Sequence, residues 1–138
     1  MLRRCSCVIA LAVMLVGLPT AQAADTTLTL ACQGTETSQW GSGPKSSERV
    51  NIGIIVDLQK RTVTGLSDSY SLTIETVTDT MISFSGQEGS WDKKGLAWSM
   101  YGTLDRITGS LVASSSRYEA PKNELSYDLK CRPAQRMF

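Results

Sequence analysis

Two segments of this chain alternate apolar with polar residues and end on a cysteine. Leu28-Thr29-Leu30-Ala31-Cys32 lies near the beginning, and Leu125-Ser126-Tyr127-Asp128-Leu129-Lys130-Cys131 lies near the end. A period of two puts every second side chain on one face of a β-strand. Each cysteine therefore sits on the apolar face of its strand, beside the core. A bond between them would make the first and last strands of the domain neighbours, which a sheet closed on itself permits. Leu28, Leu30 and Cys32 would then face the same interior as Leu125, Tyr127, Leu129 and Cys131.

The chain opens with the pattern of a secretory signal peptide. Arg3 and Arg4 supply the positive start, Val8 to Leu18 the apolar stretch, and Ala21-Gln22-Ala23 the cleavage site after Pro19. The apolar stretch is well short of the roughly 20 residues that a spanning helix needs. No cysteine follows the cleavage site to accept a lipid, because Cys5 and Cys7 lie upstream of the apolar stretch. Residues 1–23 are thus read as a leader, and residues 24–138 as one β-barrel-like domain. The location expected is periplasmic or secreted. Cleavage removes two of the four cysteines and leaves Cys32 and Cys131, in a compartment where disulfides form and persist. It also removes Arg3 and Arg4 from the 14 Lys and Arg, leaving 12 against 13 Asp and Glu. That balance gives no basic footprint for nucleic acid or an anionic membrane.

The segments between the two cysteines alternate as well. Val50, Ile52, Ile54, Val56 and Leu58 form the longest unbroken series. Leu72 with Ile74, Ile82 with Phe84, and Leu111 with Ala113 mark further inward-facing pairs. Leu96, Trp98, Met100 and Leu104 share one face of another strand. Gly34 to Ser47, with Gly41-Ser42-Gly43-Pro44 inside it, reads as a loop. Asp57 followed by Gly65, and Asp105 followed by Gly109, read as hairpin turns. The expectation is an all-β fold of about eight antiparallel strands, an up-and-down meander closing into a small barrel. A β-sandwich is the alternative. An outer-membrane barrel is disfavoured, since the second strand face is rich in Thr, Ser, Lys, Asp and Glu.

Catalytic chemistry finds little to work with. The chain has no histidine, which removes the commonest general base and metal ligand. Ser42-Gly43-Pro44-Lys45 has the S-x-x-K spacing, but it lies in a turn and not at the helix start that such chemistry uses. The carboxylate pairs Glu88 with Asp92 and Glu75 with Asp79 are ordinary solvated charges unless the fold brings them across a cleft. No metal site, cofactor or catalytic residue is expected. For binding, Trp40 and Trp91 sit in polar loops and are candidate anchors for a protein partner. Ile54, Phe84, Trp98 and Met100 would line a cavity if the barrel held a small apolar ligand, and would fill the interior if it did not.

The tail Cys131-Arg132-Pro133-Ala134-Gln135-Arg136-Met137-Phe138, the early Leu30-Ala31-Cys32-Gln33-Gly34 and the segment Gly102 to Gly109 resemble those of small exported proteins of rhizobia and related Gram-negative bacteria. That resemblance implies export and brings no activity with it. Ser85-Gly86 and Trp91-Asp92-Lys93-Lys94-Gly95-Leu96-Ala97 are similar to segments of the periplasmic inhibitors of c-type lysozyme, which are small disulfide-bonded β-barrels. The tyrosine of the first inhibitor segment has no counterpart here; Glu88 and Gly89 stand around its place. The function expected is a non-enzymatic, soluble, exported β-domain that binds a protein or a small apolar ligand. Inhibition of a hydrolase such as lysozyme is the alternative, and an enzyme using paired carboxylates is a remoter one.

Overall fold

The structure, a computed structural model, describes residues 26–67, 71–88, 98–117 and 123–134. Residues 1–25, with the segment that reads as a leader, Trp91, Asp92 and the last four residues of the tail lie outside them. Eight strands follow one another: β1 (Thr27–Gln39), β2 (Ser46–Asp57), β3 (Thr62–Thr64), β4 (Leu72–Val77), β5 (Met81–Glu88), β6 (Trp98–Asp105), β7 (Ser110–Arg117) and β8 (Glu124–Pro133). Each pairs antiparallel with the next, and β8 pairs with β1, so the meander closes into a barrel. Closure leaves the sheet no terminal strand, which is how small all-β domains escape edge-to-edge association.

Alternation determines which face is inside. Leu30, Cys32, Ile54, Val56, Leu72, Ile74, Ile82, Phe84, Leu111, Ala113, Tyr127, Leu129 and Cys131 are all buried in one apolar cluster, with Leu28 and Leu125 packed against it. The two cysteines form the bond that their positions predict. They are direct partners on β1 and β8, with Cα atoms 4.0 Å apart. Thr29 accepts from the Ala134 N–H, and Cys131 donates its own N–H to Gly109 on the β7 side. Cys32 and Cys131 therefore form a non-hydrogen-bonded pair, the arrangement in which opposed side chains stand closest. Two residues along, Gly34 faces Leu129; a Cβ there would lie 2.0 Å from the Asp128 carbonyl oxygen. Only glycine admits so close an approach of the two backbones.

Partners on the outer face trace the stagger of the barrel. The row runs Ser47, Thr37, Ser126, Ser114, Tyr101, Ser85, Thr73, Thr62, one hydroxyl-bearing residue from each strand, and returns to β2 at Asp57. It re-enters β2 ten residues beyond Ser47, so the strands tilt steeply against the barrel axis. The wall is uneven as a result. β1 and β2 extend far at the end where their connecting turn lies, whereas β3 and β4 stop short of it.

Some boundaries differ from those read in the sequence. The expected loop from Gly34 to Ser47 is strand as far as Gln39, and β2 begins at Ser46. Its inward positions, Gly34, Glu36 and Ser38, carry no apolar side chain, so the period of two is present there without a hydrophobic signal. The turn after β2 falls between Asp57 and Thr62 as the sequence suggests. Arg61 there has positive φ (54), and Gly65 (φ 102) lies beyond the end of β3.

A candidate binding end of the barrel

Among the described residues the buried apolar cluster does not extend to both ends of the barrel. Toward the end formed by the β1–β2 turn, the start of β6 and the end of β7, the inward register positions become Glu36, Ser38, Glu48, Ser115 and Arg117. Ser115 is buried, Glu36 and Arg117 are half-buried, and Glu48 is exposed. Glu36 and Glu48 are direct partners across β1 and β2. Like charges directly opposed on one sheet face cost stability in a dry interior; here water reaches the pair. The sequence hides this carboxylate pair, because Glu36 falls in the segment from Gly34 to Ser47 that reads as a loop.

Trp40 stands on the turn at this end, and four hydrogen bonds shape its surroundings. Its carbonyl accepts from the Gly43 N–H at 3.0 Å. The Gln39 side-chain amide donates to the Gly43 carbonyl at 3.2 Å. Gly41 donates its N–H to the Asn123 side-chain oxygen at 2.8 Å, tying the turn to the start of β8. Asn123 in turn accepts from the Arg117 N–H through its carbonyl. Trp40 is 63% exposed. Its ring meets that of Trp98 edge to face, with centroids 6.2 Å apart and planes at 74°, a geometry worth about 0.5–1.5 kcal/mol beyond simple burial.

The candidate residues from the sequence thus divide. Ile54, Phe84 and Met100 belong to the buried cluster. Trp98 is half-buried at the rim, where it supports Trp40. Trp91 lies outside the described residues, as does Asp92, and the Glu88 side chain is not described. Glu75 accepts from the Ser85 hydroxyl at 2.7 Å on the outer wall, and Asp79 is an exposed residue of the β4–β5 turn. Among the described residues no group of three or more metal-ligating side chains comes together.

No family model, curated protein or solved structure matches this chain. The geometry of this end of the barrel is therefore what a functional reading rests on. Among the described residues no helix is long and apolar enough to cross a membrane.

Proposed function

We propose that the protein is an exported, non-enzymatic binding protein, periplasmic or secreted, that engages a protein partner at the Trp40 end of its barrel. One observation carries this reading: a tryptophan 63% exposed stands on a hydrogen-bonded turn with its ring against a second tryptophan. An exposed indole braced by a neighbouring ring loses less conformational freedom on binding, and such aromatics dominate interface energetics. Burial of Ile54, Phe84 and Met100 in the core supports a surface anchor over a small apolar ligand inside the barrel. The leader pattern and the Cys32–Cys131 bond fit an oxidising compartment outside the cytoplasm.

Pull-down from envelope extract tests the reading. Wild-type protein and Thr35→Ala, on the outer wall, are expected to capture the same partner, and Trp40→Ala to lose it. Equal capture by all three would remove the tryptophan end from the argument.

A further inference from the structure

The barrel is closed, but among the described residues its strands do not pair along their whole length. β2 pairs with β1 along Ser46 to Asp57 on one edge. On its other edge β3 pairs only with Ile55, Val56 and Asp57. The direction of each backbone group follows from two contacts. Leu58 donates its N–H toward β1, to Thr26, so even-numbered residues of β2 direct their polar backbone groups to β1. Odd-numbered residues direct theirs the other way, as the Gly53 carbonyl does where it meets Gly65. Beyond Gly53, the N–H and C=O groups of Ser47, Arg49 and Asn51 point out of the edge, and no described strand pairs with them. All three residues are exposed. We infer that this edge accepts an extended peptide of a partner protein, added antiparallel to β2 as an extra strand.

A second copy of the same chain is a poor occupant. A two-fold axis through Arg49 would oppose two arginines and one through Glu48 two glutamates, and one through Val50 would keep only the pairing of Arg49 with Asn51, because the Ser47 pair needs Gly53, which Gly65 already covers. A foreign strand has no such restriction. Its residue opposite Val50 would lie on the inner side, against a half-buried apolar side chain, and should be β-branched. Opposite Arg49 an acidic residue fits, and opposite Glu48 a basic one. Spacing of two residues between edge-facing groups, about 7 Å, sets the footprint at five residues. This edge is separate from the tryptophan pair, so the inference can fail while the Trp40 reading stands, and the reverse.

A synthetic pentapeptide, acetyl-Thr-Val-Asp-Lys-Thr-amide, matches that footprint from Asn51 to Ser47 and serves as probe. In titrations of the isotope-labelled protein it should slow amide exchange at Ser47, Arg49 and Asn51 by at least tenfold, leaving Val50 and Ile52 unchanged. Asn51→Pro removes an edge-facing N–H and no bond to β1, a place where strands tolerate proline; it should weaken binding at least tenfold, and Trp40→Ala should not. Three results would each overturn the inference: slow exchange at all three residues in the free protein, no protection by the peptide, or a concentration-dependent dimer protecting the same amides.

Discussion

Phe84 and Gly102 face each other across β5 and β6 on the inner side of the barrel. The phenyl ring lies over the glycine: a Cβ at residue 102 would fall 2.5 Å from the ring and 2.8 Å from the Val112 carbonyl oxygen. Neither neighbour can yield cheaply, since one is a buried ring and the other backbone. Gly102→Ala is therefore expected to cost about 1–3 kcal/mol, read as a lower urea midpoint at unchanged slope. Arg61 makes a different trade. Its left-handed backbone (φ 54) is unfavourable for a residue with a Cβ. Its guanidinium, however, donates to the Ile74 and Glu75 carbonyls at 2.7 and 2.8 Å, where the β4–β5 register shifts. Arg61→Gly loses the donors and relieves the backbone, whereas Arg61→Ala only loses the donors. The alanine variant should be the less stable of the two by about 1 kcal/mol, measured by thermal or urea unfolding.

At the scale of elements, two hairpins use one device. Asp57 accepts from the Lys60 N–H, and Asp105 accepts from the N–H groups of Ile107 and Thr108. Both carboxyls are held below the ordinary value of 3.8, Asp57 chiefly by the Lys60 backbone bond and Asp105 chiefly by that of Thr108. A lowered folded-state value means that protonation favours the unfolded chain. The stability these groups contribute is complete above pH 3.8 and is lost as pH falls through their lower folded values. Melting temperature should accordingly fall in that acid window, and Asp57→Asn with Asp105→Asn should flatten the fall. The aspartates were legible in the sequence as turn residues. The positive φ of Arg61 in the first turn was not legible, because its guanidinium and its carbonyl are both bonded to β4, a non-local contact. β1 likewise reads as strand only where its inward residues are apolar. Its last turns of alternation, through Glu36 and Ser38, become visible once β2 and β8 lie on either side.

For the whole molecule, the Cys32–Cys131 bond joins residues 99 apart in sequence and pins the strands that close the barrel. In the chain-entropy picture a loop of that length stabilises by about 4–5 kcal/mol. Reduction, or replacement of both cysteines by serine, should remove about that much from the unfolding free energy and leave the strand content of the folded protein unchanged. A reduced chain as stable as the oxidised one would show that the hydrogen-bonded seam of β1 and β8 closes the barrel unaided. By itself the sequence determined the all-β class, the inward face of nearly every strand and the cysteine pair, because these follow from a period of two and from which residues avoid water. The tertiary structure decided the rest: Glu36 opposite Glu48, Trp40 propped on Trp98, and a β2 edge with no partner strand among the described residues beyond a three-residue β3. Each of these depends on the register and stagger between strands, and register is a relation between segments that no single segment encodes.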